Sequence, residues 1–255
     1  MSAKKRFGQN FLHSSRVIED IISAVAPRQN ETILEIGPGR GSLTRLLAER
    51  TANLIAIEID RDLIPLLKKQ LPSGVNIINA DILDYPIDDL PTPLRVVGNL
   101  PYNISTPLLF RLFEYCERLT DMTLMLQAEV VDRMVAAPGS RVYGRLSVMT
   151  QYYCQIEKLM AVPASAFTPR PKVESAVARL QPHKTKLAEA ENLAVLSKIL
   201  IQAFGQRRKT IRNSLSGCLN ADELRSIGLD PKLRAENLSV ENYTDCANFV
   251  SRRDQ

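Results

Sequence analysis

The chain has 255 residues and a formal net charge of +5, and 45% of its residues are hydrophobic. These values are typical of a globular protein with one large domain, or with a medium domain and a small one. No apolar run approaches the roughly 18 residues that a membrane helix needs, so we expect no membrane-spanning segment and no membrane partner.

The chain contains four cysteines and two histidines. The cysteines lie far apart and form no Cys-x-x-Cys pair, so we expect no zinc site or other metal centre. Reduced thiols in a cytoplasmic protein are the simplest interpretation. The mild positive charge is compatible with a nucleic-acid partner but does not establish one.

The first two thirds of the chain alternate short apolar runs with amphipathic stretches. The apolar runs predict strands at 32–36, 53–59, 75–78, 95–98 and 122–126. The amphipathic stretches predict helices at 42–50, 60–71 and 106–115, the first of them capped by Ser42. This alternation indicates a doubly wound, mostly parallel α/β sheet, in which both faces of the strands are covered by helices.

The pattern changes after about residue 149. Two late strands are predicted at 151–160 and 173–180, and we expect them to pair at the sheet edge, which brings the sheet to seven strands. From Pro182 onward only helix signals occur, at 189–204, 209–215, 221–227 and 240–250. We therefore expect a Rossmann-like domain over 1–183 and a small all-α domain over 184–255.

A glycine-rich loop, Gly37-Pro38-Gly39-Arg40-Gly41, follows the first predicted strand. In an open α/β sheet, ligands bind beyond the carboxyl ends of the strands, and glycines there let the backbone approach a ligand closely. Nicotinamide-dependent enzymes use the same place. Their pattern has a third glycine where this chain has Ser42, which disfavours a dinucleotide.

Two carboxylates follow the next two strands. Glu58 lies at the end of the second strand, where it can accept hydrogen bonds from both hydroxyls of a ribose. Asp81 follows the third strand, in a position to accept from the amino group of an adenine. These carboxylates favour S-adenosylmethionine as the ligand. It is an adenosine derivative without phosphates, so two carboxylates around its nucleoside cause no repulsion. The alternative is that both are solvated carboxylates at strand ends.

The tetrapeptide Asn99-Leu100-Pro101-Tyr102 follows the fourth strand at the same edge of the sheet. The amino group of an adenine is a poor nucleophile, because its lone pair is delocalised into the ring. The side-chain oxygen of Asn99 and the carbonyl of Pro101 can each accept one N–H and so favour a pyramidal nitrogen. Tyr102 offers an aromatic face to a base removed from its stack. Taken alone, an ordinary turn after a strand remains possible.

These motifs resemble those of the ribosomal RNA adenine dimethylase family. Two further motifs, one near the start of the chain and one after the tetrapeptide, extend the resemblance over almost the whole chain. The opening segment is Arg6-Phe7-Gly8-Gln9-Asn10-Phe11-Leu12, and the late one is Phe167-x-Pro169-x-Pro171-x-Val173. The resemblance implies a class I methyltransferase fold and S-adenosylmethionine as cofactor. It also implies that Asn10, Leu12 and Ile82 contact the cofactor, together with Gly37, Gly39, Glu58, Asp81 and Asn99.

The resemblance further implies that the Phe167 ring helps to hold the target base, and we expect Tyr102 and Phe167 to form two walls of one pocket. Leu100 in the tetrapeptide and the helical C-terminal domain favour the bacterial small-subunit branch over the erythromycin-resistance branch. That branch dimethylates, at N6, two adjacent adenines in a hairpin loop near the 3′ end of 16S rRNA. It acts on immature small subunits late in assembly, and we expect a cytoplasmic monomer.

Other interpretations stay open at this point. A nicotinamide-dependent oxidoreductase uses the same sheet topology, and a catalytically idle assembly or transcription factor would share the fold. Two basic groups, Lys4-Lys5-Arg6 and Arg207-Arg208-Lys209 with Arg212, can contact RNA phosphates, which would make binding salt-sensitive. Each is equally typical of a solvated surface.

Overall fold

The computed structural model describes residues 4, 8–185 and 188–254. Lys5, Arg6 and Phe7, which begin the opening motif, lie outside the described residues. The strands in chain order are β1 (Phe11–Leu12), β2 (Thr32–Ile36), β3 (Asn53–Glu58), β4 (Asn76–Asn79), β5 (Leu94–Asn99), β6 (Leu119–Gln127), β7 (Cys154–Val162), β8 (Phe167–Thr168) and β9 (Ser175–Pro182). The helices are α1 (Ser15–Val25), α2 (Thr44–Ala48), α3 (Ile64–Gln70), α4 (Ser105–Phe113), α5 (Ala128–Met134), α6 (Arg145–Tyr153), α7 (Leu193–Gly205), α8 (Ile211–Ser214), α9 (Ala221–Ser226) and α10 (Val240–Arg253).

Seven strands form one sheet in the order β4-β3-β2-β5-β6-β9-β7. Strands β2 to β6 pair in parallel, and β9 pairs antiparallel to β6. The predicted mostly parallel, seven-stranded α/β sheet is thus confirmed, with the two late strands together at one edge. The strand order reverses at β2, and such a switch point opens a crevice beyond the carboxyl ends of β2 and β5.

A second sheet has only two strands. Strand β1 pairs antiparallel with β8, with Phe11 opposite Thr168 and Leu12 opposite Phe167. Neither strand was predicted, because two-residue strands have no period that a sequence can show. This pairing carries the N-terminal segment, defined here as residues 8–12, to the carboxyl edge of the large sheet.

The start of β7 differs from the prediction. The sequence predicts a strand from residue 151, whereas helix α6 continues to Tyr153 and the strand begins at Cys154. Within α6, Val148 and Tyr152 are buried and lie one helical turn apart. The aromatic pair Tyr152-Tyr153 favours a strand on local preference, and helical packing overrides that preference.

The chain divides into two compact units, with one boundary at 182/183, next to the predicted 183/184, and with residues 132–155 joining the second unit, which was not predicted. The first unit comprises residues 1–131 and 156–182, and the second comprises 132–155 and 183–255. Residues 132–155 belong with the C-terminal helices because they pack there: the Tyr143 ring lies 6.1 Å from that of Phe204. The Gly139 N–H also donates to the carbonyl of Glu236 over 2.6 Å.

A buried cation joins three elements of the first unit. Arg95 on β5 donates to Asp121 on β6 through Nε and Nη2, over 2.9 and 2.8 Å. Its Nη1 pairs with Glu31 over 2.7 Å, and its Nη2 donates to the carbonyl of Val25 at the end of α1 over 2.7 Å. Arg95 thereby links the C-terminal end of helix α1 to strands β5 and β6.

None of the helices in the described part of the chain has the length and apolar character that crossing a bilayer requires.

Candidate active site

A cavity of about 330 Å³ lies at the carboxyl ends of the central strands, with the N-terminal segment on one side. This volume is within the range of small-molecule sites. Nearly all of the residues that the sequence analysis assigned to the site line it: Asn10, Leu12, Gly37, Gly39, Glu58, Asp81, Ile82, Asn99, Pro101 and Tyr102. Phe167 does not.

The glycine loop turns directly after β2. Gly39 has a φ of +59°, a left-handed conformation that strains other residues, and its N–H donates to Glu58 Oε2 over 3.0 Å. A Cβ atom at this position would lie 3.2 Å from the ring of Phe11. The Arg40 guanidinium lies 4.4 Å above the same ring, so the loop and the N-terminal segment are packed together.

Ser42 does not cap the following helix as predicted. The residue that precedes α2 is Leu43, and it makes no side-chain capping bond. The Ser42 hydroxyl instead donates to the carbonyl of Leu12 over 2.7 Å. The residue that distinguishes this loop from a dinucleotide loop therefore holds one end of the N-terminal segment.

Glu58 is 4% exposed and both of its carboxylate oxygens are held. Oε1 accepts the N–H of Asp60 over 2.8 Å, and Oε2 accepts that of Gly39. Burial raises the pKa of Glu58 above its ordinary value, and the two N–H groups oppose that shift. A carboxylate oxygen has two lone pairs, so Glu58 can also accept from a hydroxyl group in the cavity.

Asp81 and Ile82 follow β4 at the same edge. One carboxylate oxygen of Asp81, Oδ1, accepts the N–H of Leu83 over 2.9 Å, which fixes the turn in which it lies. The lining also contains Ile57 and Ile59, whose apolar surfaces suit the face of a purine. Polar groups beside apolar walls are the usual composition of a nucleoside site.

Glu35 also lines the cavity, from inside β2, and was not predicted as a site residue. It is 2% exposed, and its Oε2 has no hydrogen-bond partner among the described residues. Burial raises the pKa of the Glu35 carboxyl from 4.5 to about 8; the Thr44 hydroxyl opposes this shift, and the Glu58 charge adds a smaller contribution in the same direction. A charged residue inside a strand that is otherwise apolar was the available signal.

The tetrapeptide is tied to the N-terminal segment. The Asn99 Nδ2 atom donates to the carbonyl of Asn10 over 3.1 Å, so the orientation of the Asn99 amide is defined. The Pro101 carbonyl accepts the N–H of Ile104 over 3.2 Å and keeps one lone pair. The Tyr102 hydroxyl is 2.8 Å from Ser175 Oγ, which fixes its ring in the lining.

Phe167 is placed differently from the expectation. Its side chain is 3% exposed and packs in a hydrophobic cluster with Leu12, Ile22 and Val177. The structure therefore does not bring Tyr102 and Phe167 together as two walls of the cavity. A contact between Phe167 and a target base would require its ring to leave this cluster, and its role at the base stays a prediction.

The basic residues that were predicted to contact RNA differ in whether they have partners within the protein. Arg207 is engaged within the second unit, where it donates to the carbonyl of Tyr143 over 2.8 Å and pairs with Glu236 at 3.3 Å. Arg208, Lys209 and Arg212 are exposed. Lys4 pairs with Asp60 at 2.5 Å and with Asp62 at 2.6 Å.

Comparison with known proteins gives one consistent family. A family model described as ribosomal RNA adenine dimethylase matches residues 1–252. The Ribosomal RNA small subunit methyltransferase A of Photorhabdus laumondii is 50% identical over 99% of this chain and 95% of its own length. The protein of the same name from Enterobacter sp. strain 638 is 52% identical over 98% of this chain and 93% of its own.

Solved structures agree with this result. A dimethyladenosine transferase from Plasmodium falciparum has a TM-score of 0.81 and 26% identity, and covers 92% of this chain and 95% of its own. The 23S rRNA methyltransferase ErmE has a TM-score of 0.74 and 27% identity, and covers 96% of this chain and 100% of its own. By sequence and by fold, this chain belongs to the ribosomal RNA adenine dimethylase family.

Proposed function

We propose that this chain transfers methyl groups from S-adenosylmethionine to the N6 amino groups of two adjacent adenines near the 3′ end of 16S rRNA. The observation that carries the proposal is the setting of Asn99. Its amide lines the same cavity as Glu58 and Asp81, and its nitrogen already donates to Asn10. The amide oxygen is therefore the group that is left to accept an N–H from a substrate.

The lining residues fit the proposed cofactor. Glu58 suits the two ribose hydroxyls, and Asp81 suits the adenine amino group. The unpartnered oxygen of Glu35 suits a cation, because a buried carboxyl that is costly to ionise alone becomes favourable to ionise beside a positive charge. When bound, S-adenosylmethionine would supply an electrophilic methyl group on a sulfonium, whose sulfur leaves as a neutral thioether. The glycine loop lets the backbone approach the cofactor without a Cβ clash.

The tetrapeptide has the groups needed to bind and orient the adenine that accepts the methyl group. Asn99 Oδ1 accepts one N–H of the target amine, and the free lone pair of the Pro101 carbonyl accepts the other. Two acceptors outside the ring plane draw the nitrogen toward a pyramidal geometry, which frees its lone pair for the methyl carbon. Tyr102 supplies a ring on which the extruded base can stack. Positioning of the two reactants then supplies much of the reduction in barrier. The methylated amine loses a proton readily, so no strong base is needed.

The choice of RNA follows from the relatives. The two curated relatives at 50% and 52% identity are both named small subunit methyltransferases. We therefore assign the immature small ribosomal subunit as the substrate, modified late in its assembly in the cytoplasm by a monomeric enzyme. Arg208, Lys209 and Arg212 are the exposed cations of the second unit that we assign to RNA phosphates.

The experiment uses small subunits from cells that lack this gene. They are incubated with the purified chain and S-adenosylmethionine, and N6,N6-dimethyladenosine is measured by mass spectrometry of the rRNA. Asn99→Ala should abolish transfer while calorimetry still detects cofactor binding, and the exposed control Asn76→Ala should match the wild type. Unchanged transfer by Asn99→Ala would refute the role of Asn99. Binding of NAD without S-adenosylmethionine would instead favour an oxidoreductase.

A further inference from the structure

Asp60 is a buried carboxylate that the proposed reaction does not use. It lies two residues after Glu58, is 2% exposed, and is not part of the cavity lining. A carboxylate that is removed from water to this extent needs partners. Asp60 Oδ1 accepts from Lys4 Nζ over 2.5 Å, and Oδ2 accepts from Gln9 Nε2 over 3.0 Å.

These partners both belong to the N-terminal end of the chain. The Lys4 N–H donates to Gln9 Oε1 over 2.8 Å, so the two residues are also bonded to each other. The result is a small closed network around one carboxylate, and it holds Gln9 beside the end of β3. Burial raises the pKa of Asp60, but the hydrogen bonds from Lys4 and Gln9 outweigh that effect and lower it below its ordinary value. The carboxylate is therefore ionised when it holds the segment.

The next residue, Asn10, controls the Asn99 amide. An asparagine amide can turn by 180°, which exchanges its acceptor oxygen and its donor nitrogen. The Asn10 carbonyl can accept a hydrogen bond but cannot donate one, so it selects the orientation in which Nδ2 faces it. In the opposite orientation Asn99 would present donors to the amino group of a base, and donors facing donors do not bind.

The segment has a second anchor that does not involve Asp60. Leu12 is held by its pairing with Phe167 and by the hydroxyl of Ser42. Asn10 lies between this anchor and the network at Asp60. Loss of the Asp60 network should therefore release the Asn10 carbonyl while the Leu12 end of the segment, and the cavity wall that it forms, stay in place.

We propose that Asp60 is a positioning residue for methyl transfer: through Gln9 and Lys4 it fixes the N-terminal segment so that the Asn10 carbonyl orients the Asn99 amide toward the target amine. This inference rests on the proposed function, because it assigns a purpose to the Asn99 oxygen. Asp60 acts at a distance from the reacting atoms, and its role is in the turnover of bound substrate.

The test compares Asp60→Asn with the matched control Asp62→Asn. Asp62 also pairs with Lys4, at 2.6 Å, but it is about half exposed. Asp60→Asn keeps the shape of the side chain and the backbone bond to Glu58. It should lower kcat for small subunits by about tenfold to a hundredfold, as expected when a reacting pair is slightly misplaced. The Kd for S-adenosylmethionine and the KM for subunits should stay within about threefold, and Asp62→Asn should lie within about twofold of wild type in kcat.

A second readout does not depend on any activity. In a ¹⁵N spectrum of the whole chain, the side-chain amide resonance of Asn99 should shift in Asp60→Asn and keep its position in Asp62→Asn. Gln9→Ala should shift the same resonance, and it replaces Asp60→Asn if that variant fails to fold. Equal kcat in the two Asp variants, an unmoved Asn99 resonance, or a loss confined to cofactor affinity would each overturn the inference. Absence of methyl transfer by the wild type would overturn the proposed function, and the spectrum would still decide the orientation of Asn99.

Discussion

Replacing Glu35 with Gln should change how the stability of the protein depends on pH. The carboxyl has a pKa of about 8 in the folded chain and an ordinary value of 4.5 in the unfolded chain. Between these values the folded state holds a proton that the unfolded state has lost. Stability from this group is therefore complete below about pH 4.5 and is lost as the pH rises through about 8.

The size of the effect follows from the same two values. As the pH rises from 6.5 to 8.5, ionisation of Glu35 alone should lower the free energy of unfolding by about 2 kcal/mol, through the linkage between folding and proton binding. For a chain of this length, that corresponds to a fall of roughly 4–8 °C in Tm. Glu35→Gln keeps the volume of the side chain and has no proton to lose, so it should show a smaller fall over this interval.

The assay is thermal unfolding of the protein without cofactor, monitored by circular dichroism at both pH values. Other groups also titrate, so the quantity to compare is the change in Tm for the wild type minus that for Glu35→Gln. The exposed Glu49→Gln should behave as the wild type. If Glu35→Gln lost as much Tm as the wild type over this interval, the assignment of a buried, protonated carboxyl would be refuted.

Substitutions at Arg95 and Tyr102 test the buried ion pair and the stacking of the base. Arg95→Met should lower the free energy of unfolding by about 3–5 kcal/mol in chemical denaturation, because it leaves Asp121 buried without its cation. Adding Asp121→Leu should recover most of that loss, and a double variant no more stable than the single one would contradict the explanation. Tyr102→Ala should raise the KM for small subunits by roughly 5- to 150-fold, the value of one base stacked on an aromatic ring. Tyr102→Phe loses only the hydrogen bond to Ser175 and should stay close to wild type, so equal defects would rule out stacking.

The parallel sheet could be predicted because its strands are buried on both faces. Strand β2 has the bounds 32–36 that its apolar run indicates, and the other central strands differ by a few residues at their ends. The positions of Glu58, Asp81 and Asn99 follow from the same reasoning, since each ends or follows a parallel strand. In such a sheet those ends meet at one edge.

Features that depend on distant partners could not be predicted in this way. Ser42 has the composition of a helix cap, but its hydroxyl is used by Leu12, thirty positions earlier in the chain. The segment 132–155 has no composition that separates it from the sheet domain, and only its packing assigns it to the helical unit. Phe167 belongs to a motif whose family role concerns a base, whereas its side chain here fills the cluster behind β1.

The pairing of β1 with β8 has a consequence for the synthesis of the chain. During translation, β1 has no strand partner until Phe167 and Thr168 have been made, because most of the first unit lies between the two strands. A nascent chain that stops before β8 therefore has the glycine loop, Glu58 and Asn99, but its Leu12 end is held by the Ser42 hydroxyl without the pairing to Phe167. Closing so long a loop is an entropic cost that the later contacts must offset. The N-terminal segment should thus gain its last backbone anchor late in translation, after the sheet has begun to form.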